Sequence, residues 1–147
     1  MLIKNTKYGF SFVVPDDYTE IPRSESKKYN VDPATLHVFV KPEGDAPRSI
    51  SLNPDDTVES EKEYIELVDL NAKNMKEIGM KIDEHTFKTD GRARVDVLYS
   101  NFRGLRFATR FTVVRGKQMI ACSIEIGEKD DEYDRTLAAL FDSIKDI

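Results

Sequence analysis

The side chains best suited to nucleophilic or metal chemistry are scarce in this chain of 147 residues. It has one cysteine, Cys122, and two histidines, His37 and His85. Cys122 lies in the middle of an apolar strand pattern, which predicts a small buried hydrophobe, because a reactive thiol needs an exposed, electropositive setting. The histidines fall on different predicted strands, with no second ligand at metal spacing. The sequence therefore predicts no metal and no covalent cofactor.

His85 has the one arrangement suited to acid–base chemistry. A turn predicted at Asp90-Gly91 brings His85 opposite Asp96, and a carboxylate beside an imidazole orients the ring and raises its basicity. Ser100 or Ser123 would complete a Ser-His-Asp set, but both fall within predicted strands, which lack the sharp turn that exposes a nucleophile. An ordinary solvated or hydrogen-bonded histidine is the favoured interpretation of His85, and a hydrolase is the least favoured function.

Glycines and carboxylates add no catalytic signal. All seven glycines fall at predicted turns or element ends, so none remains to form a loop that cradles a phosphate. Acidic residues crowd the segment 55–69, around the start of a predicted helix, where the helix dipole favours negative charge. They are typical of a solvated face rather than of paired catalytic carboxylates.

Composition restricts the class of protein. Length and a hydrophobic content of 39% indicate one globular domain, 1–147. The net charge of −5 argues against a nucleic-acid binder, which needs a basic surface. A lone cysteine excludes an internal disulfide, and the apolar runs are too short for a membrane span. Because the first residues show no apolar signal core, we expect a cytoplasmic protein.

Hydrophobic periodicity predicts an α+β fold with an antiparallel sheet. Apolar residues spaced 3–4 apart indicate a helix over 58–78, with Ser60 and Glu63 as a capping box, or with Asp56 or Thr57 as the cap. Turns at Asp90-Gly91, Arg103-Gly104 and Arg115-Gly116 indicate a meander of four strands. The predicted strands cover 2–5, 9–14, 35–41, 49–53, 80–89, 92–101, 105–114 and 117–126, with a long loop at 15–34 and a closing helix at 130–146.

The order of apolar side chains also predicts strand register. A two-residue turn at Arg115-Gly116 places Phe111 opposite Ile120 and Phe107 opposite Ile124 on one buried face. A three-residue loop there would pair Phe111 with Ala121 and mix the faces, so the pattern disfavours it. In the preceding hairpin, a three-residue loop, Phe102-Arg103-Gly104, gives the best fit. Three arginines then share the other face with Asp96 and Glu125: Arg94, Arg106 and Arg110.

Two motifs of this chain resemble those of the PsbP-like superfamily. That superfamily includes the extrinsic PsbP subunit of the oxygen-evolving complex, Mog-type Ran-binding proteins and bacterial relatives such as chaperones of Rhs effectors. One is the opening Tyr8-Gly9-Phe10-Ser11-Phe12-Val13-Val14-Pro15, and the other is the closing Leu140-Phe141-Asp142-Ser143-Ile144-Lys145. The long helix and the glycine-punctuated meander fit the same pattern. The resemblance implies an α/β/α sandwich, with helices on both faces of the sheet, and a non-catalytic role as adaptor, assembly factor or chaperone.

We therefore expect a non-enzymatic module that binds another protein. The 15–34 loop offers Tyr18, Ile21 and Tyr29 as apolar anchors, of the kind that dominate interface energetics. The arginine face formed by Arg94, Arg106 and Arg110 offers planar donors for carboxylate or phosphate. Cross-strand pairing with Asp96 and Glu125 is the favoured interpretation of those arginines. A small-ligand binder, with a cleft between the 15–34 loop and the sheet, is the alternative function.

Overall fold

A computed structural model describes residues 1–29, 35–41, 48–90, 93–126 and 138–147, with only the backbone at Tyr29 and Asp90. Ten strands, one long α-helix, one 3₁₀ helix and a short helical segment lie in these ranges. The elements are β1 (Leu2–Asn5), β2 (Phe10–Val13), β3 (Thr19–Glu20), the 3₁₀ helix (Arg23–Tyr29), β4 (His37–Lys41), β5 (Arg48–Thr57), α1 (Glu61–Glu77), β6 (Lys81–Asp90), β7 (Ala93–Phe102), β8 (Leu105–Val114), β9 (Gln118–Ile126) and β10 (Lys145–Asp146). Residues 138–142 are helical and form the closing helical segment.

A seven-stranded antiparallel sheet is the centre of the fold. Its strand order is β3-β4-β5-β9-β8-β7-β6, so the four last strands form the predicted meander and β6 is its outer strand. A second, three-stranded sheet has the order β1-β2-β10. Helix α1 covers one face of the large sheet, and the small sheet and the closing helical segment cover the other. The predicted α+β class and its antiparallel sheet are confirmed.

The opening Tyr8-Gly9 motif shapes the turn between β1 and β2. Gly9 has φ +76, a left-handed conformation that glycine adopts without strain. A Cβ at this position would also lie within 1.9 Å of the Arg115 side chain, which crosses the turn and donates to the backbone carbonyl of Ile147. The motif therefore joins the N-terminal hairpin to the chain end and to the β8–β9 loop.

Helix α1 begins where the capping box was predicted. Ser60 is the N-cap and its hydroxyl accepts from the Glu63 backbone N–H, while the Glu63 carboxylate accepts from Glu59 N–H. The helix buries Tyr64 and Val68 against the sheet. Ile78, which the periodicity assigned to the apolar face, is instead 67% exposed because the helix ends before it.

Both predicted hairpin registers are wrong by one residue. The β7–β8 hairpin has the two-residue turn Arg103-Gly104, so Phe102 pairs with Leu105 and Tyr99 with Ala108. The β8–β9 hairpin has the three-residue loop 115–117, which pairs Phe111 with Ala121 and Phe107 with Glu125. The loop lengths are therefore the reverse of those predicted.

As a result, the four residues predicted to share one buried face lie on opposite faces. Phe111 packs towards α1 with Met119, whereas Ile120 and Ile124 pack with Leu140 on the opposite face. The assumption that each strand has one apolar and one polar face is wrong here. Both faces of β8 and β9 are covered, so apolar side chains lie on both faces of these strands. Phe107 and Arg106 do lie on opposite faces, since they are adjacent in β8.

Two segments contain structure that the sequence analysis did not predict. The 15–34 loop contains β3, which pairs with β4, followed by the 3₁₀ helix. The closing helix does not reach 146, because Lys145 and Asp146 form β10 beside β2. The helical spacing of apolar residues in the closing helix predicts one buried face, and three of its members are buried: Leu140, Phe141 and Ile144. Tyr133 and Leu137, assigned to the same helix face, lie outside the described residues.

Candidate binding site around Asp96

A buried carboxylate on β7 is the centre of the most organised polar cluster in the described part of the chain. The Asp96 side chain is 1% exposed. It accepts hydrogen bonds from Tyr64 Oη at 2.9 Å and His85 Nε2 at 2.6 Å. Arg94 donates to it twice, from Nε at 3.0 Å and Nη2 at 3.1 Å. A single carboxylate thus fixes side chains from α1, β6 and β7.

The electrostatics of this cluster favour an ionised Asp96. Burial disfavours the charge, but hydrogen bonds from Arg94, His85 and Tyr64 outweigh it and hold the pKa of Asp96 below its ordinary value. Burial and the bond to Asp96 raise the pKa of Tyr64, so its hydroxyl remains a donor. The same carboxylate raises the pKa of Arg94. Because an ionised carboxylate only accepts, His85 must carry its proton on Nε2.

His85 contacts Asp96 as predicted, although the strand register differs. His85 pairs across the strands with Leu98, and Phe87 pairs with Asp96, so the contact with His85 is diagonal. Neither candidate nucleophile hydrogen-bonds to His85. The Ser123 hydroxyl is bonded to Thr109 at 2.7 Å, and the buried Ser100 hydroxyl has no hydrogen-bond partner among the described residues.

An exposed aromatic ring lies directly over this cluster. Phe87 is 64% exposed, and the Arg94 guanidinium lies 3.9 Å from its ring centroid. Because two hydrogen bonds to Asp96 hold the guanidinium in place, the ring packs against a fixed cation. We name this surface the Asp96 patch: Tyr64, His85, Phe87, Arg94 and Asp96. Sequence analysis missed Tyr64 and Phe87, although Tyr64 lies four residues before Val68, a spacing that places both on one helix face.

A cleft of about 350 Å³ adjoins the patch at the start of α1. Tyr64 and Arg94 form part of its wall, so the cleft and the patch share two side chains. Its other lining residues are Val58, Glu59, Ser60, Glu61, Ala93, Val113 and Gly116.

The three arginines predicted to share a face do not do so. Arg94 faces α1, whereas Arg106 and Arg110 lie on the opposite face, because β8 is one residue out of the predicted register. Arg110 is 4% exposed and donates from Nη1 to Asp142 at 2.8 Å. That bond, with Lys88 nearby, holds the pKa of Asp142 below its ordinary value. Arg110 thus joins the sheet to the closing helical segment.

A second cleft, of about 410 Å³, lies on that opposite face. It is bounded by strands β6 and β7, by Arg110 and by the closing helical segment. Its apolar lining residues come from β6, β7 and the helical segment: Phe87, Val95, Val97, Tyr99, Ala138 and Phe141.

The anchors predicted in the 15–34 loop are not a cluster of exposed apolar side chains. Tyr18 is 5% exposed and packs in the main core, so it offers no surface to a partner. Ile21 is half-buried and its N–H donates to Val38. The side chain of Tyr29 lies outside the described residues. The described part of this loop therefore closes over the core at Tyr18 instead of opening a cleft there.

The remaining candidates for chemistry lie in the core. Cys122 is fully buried, as predicted, and burial raises the pKa of its thiol to about 12. His37 packs among Phe10, Phe12 and Phe39. Within the described ranges, no group of three His, Cys, Asp or Glu side chains is placed to hold a metal ion. No helix in those ranges has the length and apolar character that a membrane span requires.

Comparison with solved structures shows a PsbP-like fold. Cyanobacterial PsbP (CyanoP) from Synechocystis sp. PCC 6803 is similar over 100% of this chain and 92% of its own, with a TM-score of 0.70 and 16% identity. LpqN of Mycobacterium tuberculosis, described as involved in cell envelope biogenesis, is similar over 92% of this chain and 82% of its own, with a TM-score of 0.55 and 13% identity. Neither the family models nor the curated protein sequences give a match.

Proposed function

We propose that this PsbP-like chain is a non-catalytic binding module that engages another protein through the Asp96 patch. One observation carries the proposal: a buried carboxylate fixes Arg94 beneath the exposed ring of Phe87. Aromatic and arginine side chains dominate the energetics of protein interfaces, and side chains that are already ordered lose little entropy on binding. The patch thus has the composition and the rigidity of an interface centre.

The hydrogen bonding of Asp96 supports binding over catalysis. The carboxylate accepts four hydrogen bonds from three side chains, and one of them is the guanidinium that lies against Phe87. A Ser-His-Asp site would need a serine hydroxyl within hydrogen-bond reach of His85. The two serines considered for that role are otherwise bonded or buried. His85 therefore serves this proposal as a donor that orients the carboxylate.

Capture of partners from native lysate, with the protein immobilised, tests the proposal. Phe87→Ala and Arg94→Ala should both lose the partner that the wild-type protein retains, while their circular dichroism stays native. Leu70→Ala, which removes a side chain 48% exposed on α1, and Arg23→Ala, which removes an exposed charge, are the matched controls and should retain it. Equal capture by all four variants would exclude the patch.

A small-ligand binder is the second candidate, and the two clefts favour it. Their volumes, about 350 and 410 Å³, lie in the range of small-molecule sites. A thermal-shift screen with metabolites tests this function, because a ligand at 100 times its dissociation constant adds about 2.7 kcal/mol of stability. A hit abolished by Val97→Arg, in the larger cleft, but not by Arg94→Ala, a patch residue that does not line that cleft, would favour this candidate over the first.

A further inference from the structure

The outer edge of β6 is long and has no neighbouring strand among the described residues. Strand β6 has ten residues and pairs only with β7, whereas the opposite edge, β3, has two. A bulge between Ile82 and Glu84 leaves the stretch from 84 to 90 regular. Such an edge presents backbone N–H and C=O groups that can pair with another strand.

We propose that a second copy of this chain pairs with the edge, antiparallel, with Thr86 opposite Thr86 of the second copy. This inference goes beyond the proposed function, because it uses the backbone edge of β6 and names a partner for it. When two copies of an edge strand pair about a two-fold axis, each side chain stays on the face of the sheet that it has in the isolated chain. Residues that oppose each other must therefore belong to the same face. The register centred on Thr86 meets this condition.

Charge complementarity selects this register. It places Lys88 opposite Glu84 of the second copy and, by symmetry, Glu84 opposite Lys88, which makes two salt bridges on the face away from α1. Glu84 has no ion pair among the described residues, and Lys88 is 61% exposed with a long 3.6 Å contact to Asp142. Registers shifted by two residues place Lys88 opposite Ile82 or Thr86, where neither offers an opposite charge.

The aromatic side chains fit the same register on the other face. Phe87 would lie opposite His85 of the second copy, and His85 opposite Phe87. Aromatic pairs across strands stabilise a sheet, and this one places an imidazole beside a ring that is 64% exposed in the isolated chain. The two Asp96 patches would then lie side by side across the symmetry axis.

Engineered cysteines test the register directly. Thr86→Cys should form a disulfide-linked dimer under mild oxidation, because residues directly opposite have Cβ atoms about 4.5–5.5 Å apart. Thr89→Cys, a matched change on the same strand, should stay monomeric, since six residues at about 3.3 Å each separate its two copies by about 20 Å. The native Cys122 is fully buried and should not contribute. A mixture of Glu84→Cys and Lys88→Cys proteins should cross-link to each other.

Sedimentation of proteins that carry no engineered cysteine gives a second measurement of dimer formation. The wild-type chain should sediment as a dimer, Lys88→Glu and Glu84→Lys should each lose the dimer, and the double exchange should restore it. Cross-linking of Thr89→Cys as strong as that of Thr86→Cys would overturn the register. A wild-type chain that stays monomeric, with no cross-link at Thr86→Cys, would overturn the pairing itself. Neither result would affect capture of another protein by the Asp96 patch, so the two proposals fail separately.

Discussion

The two faces of the seven-stranded sheet bury ionisable side chains in opposite ways. On the face away from α1, His37 lies among Phe10, Phe12 and Phe39, and burial lowers its pKa although Glu20 opposes the shift. On the α1 face, Asp96 is at least as deeply buried, yet three donors hold its pKa below the ordinary value. Burial alone therefore favours the neutral form, and a charge persists where several donors converge.

The two faces of the sheet also differ in the size of the apolar core that each contains. The core on the His37 face joins the small sheet, the large sheet and the closing helical segment through contiguous apolar packing. The core on the α1 face is smaller and contains the hydroxyl of Tyr64, which bonds both Asp96 and the Phe111 carbonyl. We infer that the first face supplies most of the stability, while the second positions the Asp96 patch.

The largest effect is expected from emptying the α1-face core. Phe111 is fully buried, so Phe111→Ala should lower the free energy of unfolding by about 3–5 kcal/mol, as removal of a buried ring leaves a cavity. Urea denaturation measures it. Phe87→Ala, which removes an exposed ring from strand β6, should cost less than about 1 kcal/mol. Similar losses for the two variants would contradict the assignment of Phe111 to the core.

A slightly smaller loss is expected when the buried charge is removed. Asp96→Ala leaves Tyr64, His85 and Arg94 without their acceptor and should cost about 3 kcal/mol, the low end for a broken buried pair, because His85 and Arg94 still reach solvent. Asp69→Ala, on the exposed side of α1, should change stability by less than about 0.5 kcal/mol. A near-neutral Asp96→Ala would show that the cluster does not stabilise the fold.

Sequence patterning predicted the elements well because each strand has its own turn signals. The bounds of β1, β2 and the meander agree within about two residues with those observed. The predicted strand registers are wrong where tertiary contacts determine the length of a hairpin loop. Both hairpin turns contain Arg-Gly with the arginine at φ 53, yet only the second has a third loop residue, Lys117. The Lys117 carbonyl accepts from Val58 N–H, a contact that no local pattern reveals.

The candidate site was predicted only in part for the same reason. The contact between His85 and Asp96 was predicted from the meander, and it survives because the observed register differs from the predicted one by two residues, which keeps both side chains on the same face. The position of Arg110 was not predicted, because its partner Asp142 lies in the closing helical segment, 32 positions away in the sequence. The prediction of Tyr18 as an exposed anchor is wrong because the short strand β3, which places its segment on the core, carries no periodic signal in the sequence.

A moderate effect is expected at the start of α1, which carries Tyr64 to Asp96. Ser60→Ala removes the hydroxyl that accepts from Glu63 N–H and should cost about 1 kcal/mol, whereas Ser60→Gly should cost only a few tenths. Thr57→Ala, at the other residue considered as a cap, should be close to neutral, because Thr57 is exposed and belongs to β5. Urea denaturation of the three variants measures the difference. A larger loss for Thr57→Ala than for Ser60→Ala would contradict the observed cap.

The smallest effect concerns the titration of His37. Its folded-state pKa is lowered, so below the ordinary value of 6.5 the unfolded chain binds a proton that the folded chain resists, and stability should fall as the pH decreases. The loss should be small, because the charge of Glu20 offsets part of the burial. The urea midpoints measured above and below pH 6.5 should differ less in His37→Gln than in the wild-type protein. They should differ more in Glu20→Gln, because the charge that offsets the burial of His37 is then gone. If Glu20→Gln instead reduced the pH dependence, burial would not be the dominant influence on His37, and the contrast between the two faces would fail.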